Sequence, residues 1–143
     1  MVRSLKTVKM DRIRNVLSCV PGWLFTILTS LLILWLTLMP DPLGDDAPEL
    51  FPGVDKLVHA VMFGFLTVVI LLDRQRSMNW KRQSGAFIII AAVISSVAGI
   101  MIEVLQLVMD MGRGFEVADM AADTAGAFVC ALCWRALQSH WSR

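Results

Sequence analysis

Charge is scarce in this sequence. Only 17% of its 143 residues are Asp, Glu, Lys or Arg, against 57% hydrophobic residues and a mean hydropathy of +0.66. A soluble globule of this size needs a far more polar surface, so a water-soluble enzyme is excluded. The net charge of +1 is segregated along the chain rather than pooled, which leaves no basic patch for a nucleic acid. Cysteine is also thin. Cys19, Cys130 and Cys133 make no disulfide framework. The last two form a C-x-x-C with no βαβ pattern around it and no second ligand pair, so they read as small apolar residues. No H-E-x-x-H, G-x-S-x-G or P-loop motif is present, which excludes the enzyme classes those motifs mark.

What is there is apolar sequence in four runs, 21–39, 57–72, 85–109 and 117–134. A spanning helix needs about 20 mostly apolar residues, in a range of roughly 17 to 25. The first and third runs pass alone. The second and fourth carry polar residues at one end and span only if those face protein or water. The first run is longer than a signal-peptide core and ends in Trp35-Leu-Thr-Leu-Met-Pro40 without a small-x-small site, so it reads as a retained helix. The fold class expected is all-α, a four-helix transmembrane bundle in one domain over 21–136, preceded by a basic segment 1–20 and followed by a tail 137–143.

Lysine and arginine give the orientation. Five precede the first run, one (Lys56) lies in the first loop, four in the second, one (Arg113) in the third and two in the tail. This alternation predicts both termini and the second loop on the cytoplasmic side of a cell (inner) membrane. Apolar residues interleaved with bases before the first run suit a short amphipathic helix on the cytoplasmic leaflet, or else a frayed basic terminus that only fixes topology.

On that topology the ionisable intramembrane residues gather near the outer face. Glu103 and Asp123 each sit six residues inside an outer helix end, about 9 Å deep at 1.5 Å per residue, and His59 sits about 3 to 5 Å deep. Glu103 and Gln106 share a helix face, as do Asp119 and Asp123. Arg113 stands in a short glycine-flanked loop above both faces. Ser95 and Gly99, with Ala122 and Gly126, offer small residues for close helix approach. Each residue has a plainer reading: Asp119 as a helix N-cap, Glu103 as a structural acid bonded to Gln106 or His59, His59 as an interfacial histidine and Arg113 as a loop charge. Several burial costs falling at one depth favour a functional site.

At these residues the chain resembles the VanZ-like family, named for a teicoplanin-resistance protein. The motif reads Asp55-Lys56-x-x-His59, Glu103-x-x-Gln106, Arg113 and Asp119-x-x-x-Asp123-x-x-Gly126, from Asp55 to about Ala131. The chain departs from the family pattern in three places. Asp123 stands where Asn is commoner, Phe63 where a tyrosine is common and Cys130 where a glycine is usual. The resemblance implies a polar constellation like that of enzymes acting on lipid head groups.

Three functional readings follow. In the first, the protein acts on a membrane lipid or lipid-linked cell-envelope precursor by phosphoester chemistry, with an effect on glycopeptide susceptibility. That chemistry needs a cation, a base or nucleophile and an acid. Arg113 and Lys56 would hold the phosphate with Gln106 beside them, His59 would be base or nucleophile, and Glu103 would orient or protonate. Asp119 and Asp123 would activate a hydroxyl or hold a divalent cation. In the second reading the same pocket is a non-catalytic lipid or glycopeptide binder. The third is transport, which ranks last because the cluster is shallow and no internal repeat is found.

Overall fold

A computed structural model of the chain describes residues 20–39, 53–109 and 116–141. The basic segment before them, Cys19 and the loop that carries Arg113 lie outside the described residues. Among the described residues four helices follow one another: α1 Leu24–Leu38, α2 Val54–Ser77, α3 Gly85–Met109 and α4 Val117–Trp141. No strand occurs among the described residues.

Helices α2, α3 and α4 are long and apolar enough to cross a membrane. Helix α1 has 15 residues, about 22 Å at 1.5 Å per residue, which falls short of a hydrocarbon core of about 30 Å. Its run is cut at the start by a turn, where Trp23 takes a left-handed φ of 70° just before the first helical residue. Ile27, Leu28, Leu31, Leu32 and Trp35 stay exposed along one side of α1, the stripe expected of a lipid-facing helix.

Helix α2 is 24 residues long, against 16 in its apolar run. It continues because its charged end is neutralised within the protein. Arg76 Nη1 donates to Asp73 Oδ1 at 2.6 Å, one turn apart on the same face, with the two residues 4% and 1% exposed. Asp73 Oδ2 accepts from the Thr26 backbone N–H at 2.8 Å and from its hydroxyl at 2.9 Å. An acid from α2 thus caps the positive end of α1 and satisfies the Thr26 N–H, one of the first-turn groups left without a helical partner. Arg76 Nη2 also donates to the Val20 carbonyl at 3.1 Å, and its guanidinium lies 4.6 Å from the Phe25 ring centre. Breaking one partner out of a buried ion pair costs about 3–5 kcal/mol. Asp73→Ala is therefore expected to lower the thermal unfolding midpoint in detergent sharply, with the Asp73→Ala/Arg76→Ala double variant recovering part of the loss. An unchanged midpoint in the single variant would show that this junction carries no load.

The core is built on α2. Phe63, Leu66, Ile70 and Leu71 pack against Ala91 and Ile102 of α3 and against small residues of α4. At the α2–α4 crossing the two backbones meet. A Cβ placed on Gly126 would collide with the Ala60 carbonyl, and one on Gly64 would come within 2.8 Å of Cys130 Sγ. The small residue at Gly126 marks a point of close helix approach, and the helix it admits is α2. Gly99 of α3 serves a different purpose, taken up with the site. Cys130 and Cys133 are free thiols, and Cys130 fills the space that Gly64 leaves.

Candidate functional site: a buried histidine–carboxylate cluster

One turn into α2, His59 faces α4. Its Nδ1 lies 3.0 Å from Asp123 Oδ1 and 3.9 Å from Glu103 Oε1 of α3. Three helices thus bring His59, Glu103 and Asp123 into contact, although 64 residues separate the first from the last. Asp119, one turn before Asp123 on α4, completes the group. Glu103 and Asp123 are fully buried, and Asp119 and His59 are 7% and 8% exposed. The Phe63 ring, one turn further along α2, lies 6.4 Å from the His59 ring and closes the inner side.

The position of Asp123 depends on Gly99. A Cβ at residue 99 would strike the Asp123 carboxylate, with its Cβ and Cγ each at 2.8 Å. The acid sits against bare backbone of α3, which is why the small residue is needed there.

Glu103 has a structural contact as well as its place in the cluster. Its Oε2 accepts the Glu116 backbone N–H at 3.1 Å, joining α3 to the residue that precedes α4. Its other oxygen, Oε1, has no hydrogen-bond partner, and neither have Asp119 Oδ1 and Asp123 Oδ2. Such groups are rare in protein interiors, because a buried polar atom without a partner costs about 1–3 kcal/mol and more when charged.

The remaining motif residues separate into those at the rim and those elsewhere. Lys56 Nζ pairs with Glu116 at 2.7 Å and Asp55 at 2.9 Å. It reaches Asp119 Oδ1 only at 3.5 Å, too long for a charge-assisted hydrogen bond. A phosphate that engaged Lys56 would have to displace a carboxylate. Gln106 is buried and donates to the Thr37 carbonyl at 2.8 Å, so it ties α3 to the end of α1 and makes no bond to Glu103. Arg113 lies outside the described residues. The residue that motif spacing overlooked is Glu116, which bonds Glu103 of the cluster through its backbone N–H and Lys56 at the rim through its side chain. Its place three residues before Asp119, immediately ahead of the fourth apolar run, is the signal that points to it.

Among the described residues, two groups have ligating atoms within 4.8 Å of one another: His59, Glu103 and Asp119, which are buried, and Asp55, Glu116 and Asp119 at the rim. The Lys56 ammonium already pairs closely with Asp55 and Glu116 of the second group, which removes it as a cation site. Neither of these groups contains Asp123, whose Oδ1 lies 3.0 Å from His59 Nδ1.

The family model described as VanZ/LLP1 matches residues 2–138, nearly the whole chain. The chain belongs to that family. No curated protein and no solved structure matches it significantly. Membership in the VanZ/LLP1 family agrees with a helical membrane protein, and the family match includes every residue of the cluster.

Proposed function

We propose that this VanZ/LLP1 protein acts on the phosphate-bearing head group of a membrane lipid or lipid-linked envelope precursor, from the outer side of the membrane. The observation that carries the proposal is the burial of His59, Glu103, Asp119 and Asp123 as one contacting group. Membrane proteins accept that cost chiefly where ionisable groups do work. An imidazole is the side chain that can take a proton or bind a metal at neutral pH, and Asp123 holds this one in place. Arg113, on the loop between α3 and α4, is the basic residue assigned to the phosphate.

A second feature supports a lipid. An apolar groove of about 170 Å³ runs between α1, α2 and α3, lined by Ile33, Leu34, Phe63, Ala98, Met101 and Leu105. Phe63 forms part of this groove and also closes the inner side of the histidine site. The groove is assigned to one acyl chain of the substrate, whose head group then meets the cluster above. The bridge from Gln106 to Thr37 ties together two of the helices that form its walls.

The orientation follows from the alternation of basic residues, which puts the second loop in the cytoplasm. A reporter fused after Met78 should read as cytoplasmic; an external signal would put the cluster at the wrong face and overturn the reading. The function is tested by mass-spectrometric lipid profiling of a strain lacking the protein, with and without the gene restored. Accumulation of one phosphate-bearing lipid class, reversed on restoration and accompanied by altered susceptibility to a lipophilic glycopeptide, is expected. Identical lipid profiles would sink the proposal.

A further inference from the structure

We propose that His59, Glu103 and Asp119 bind one divalent transition-metal cation of the zinc or manganese class. The first argument is charge. Three carboxylates, Glu103, Asp119 and Asp123, are buried together. Among the described residues the nearest lysine, Lys56, is held at the rim by Glu116 and Asp55, and its ammonium stays 3.5 Å from Asp119. Removing an ionised carboxylate from water costs several kcal/mol unless a counter-charge is supplied. A dication supplies it in one step.

The second argument is the set of vacant lone pairs. Glu103 Oε1 is completely buried, has no hydrogen-bond partner and points at the ring, 3.9 Å from His59 Nδ1. Asp119 Oδ1 is likewise without a hydrogen bond. One ligating atom from each of His59, Glu103 and Asp119 lies within 4.8 Å of the others. A tetrahedral cation bound at about 2.0–2.2 Å holds its ligand atoms about 3.3–3.6 Å apart, so the three side chains would draw in by up to about 1.5 Å to close on it.

The donors indicate the kind of ion. One imidazole nitrogen with two carboxylates suits zinc or manganese, whereas magnesium and calcium take oxygen ligands throughout. Asp123 Oδ1, 3.0 Å from His59 Nδ1, holds that nitrogen as the N–H donor, which leaves Nε2 as the ligating nitrogen, the arrangement usual for a carboxylate behind a metal-bound histidine. His59 serves as ligand rather than as proton acceptor. Three protein ligands would leave a coordination position open on the ion. The inference does not rest on the lipid reading, since the metal can be measured alone.

The test uses the full chain purified in detergent, stripped with chelator and dialysed against zinc or manganese chloride. One ion per chain by elemental analysis is expected, with at least tenfold weaker binding in Glu103→Gln and His59→Ala and wild-type binding in Asp55→Asn. X-ray absorption of the zinc-loaded wild type provides a second readout that requires no folded variant. It should show a single imidazole, retained in His140→Ala. Binding well below one ion per chain, a zinc spectrum without imidazole, or loss of binding in Asp55→Asn but not in Glu103→Gln would each overturn the proposal. A stoichiometric metal beside an unchanged lipid profile would count against the lipid function and leave the metal site standing.

Discussion

His59→Ala and Glu103→Gln should each lower turnover of the lipid substrate by about 10²–10⁴-fold, the range that a proton-transferring or substrate-polarising group contributes, with the protein still present in the membrane at normal level. Glu103→Gln is the sharper of the two, because glutamine keeps the shape and can still accept the Glu116 N–H while losing the charge. Asp123 divides the effects further. Asparagine can accept a hydrogen bond from His59 Nδ1 across the same 3.0 Å and removes one of three buried carboxylates, so Asp123→Asn should cost only about tenfold, the low end for a residue that orients a functional histidine. Asp123→Ala leaves the ring unheld and should approach the loss seen in His59→Ala. The measurement is restoration of the lipid profile in a strain lacking the protein, beside immunodetection of each variant in membranes. Wild-type lipid profiles in both His59→Ala and Glu103→Gln would end the catalytic reading. Disappearance of these variants from the membrane would assign the residues to helix packing.

The helices and the meeting of polar groups were legible from the chain because each rests on a one-dimensional signal. Apolar runs mark the helices, and the distance of His59, Glu103 and Asp123 from their helix ends marks a common level, which their contacts bear out. What was not legible depends on partners far away in sequence. The apolar run ends at Leu72, yet α2 continues to Ser77, because Asp73 finds its partner 47 residues earlier, at the start of α1. Lys56 looks like a free rim cation until Glu116 arrives from 60 residues on. Gln106 shares a face with Glu103, but that face is wide enough for the two side chains to diverge, one to the Thr37 carbonyl and the other to the head of α4. Small residues can be recognised from sequence as contact points; which helix they admit is set by the three-dimensional arrangement, and Gly126 admits α2.

That crossing yields the largest effect expected on assembly. An added methyl at Gly126 would meet the carbonyl of Ala60, part of the α2 backbone, so no rotamer change can relieve it and the helices must separate. Overpacking of this kind typically costs about 1–3 kcal/mol, occasionally more, and a rigid backbone obstacle puts Gly126→Ala at the upper end. Gly64→Ala provides the contrast. Its nearest obstacle is Cys130 Sγ at 2.8 Å, with the Gly126 carbonyl next at 3.0 Å. Trimming the sulfur in Gly64→Ala/Cys130→Ala should recover part of the loss, whereas Cys130→Ala should do nothing for Gly126→Ala. The site lies beside the same crossing: His59 precedes Ala60, and Asp123 lies one turn before Gly126. Prising α2 from α4 must therefore lengthen the 3.0 Å contact between them. Gly126→Ala should lose function even at temperatures where the variant remains folded. Thermal unfolding in detergent together with lipid profiling reads both consequences, and a Gly126→Ala protein with wild-type stability and activity would show that the helices do not meet as described.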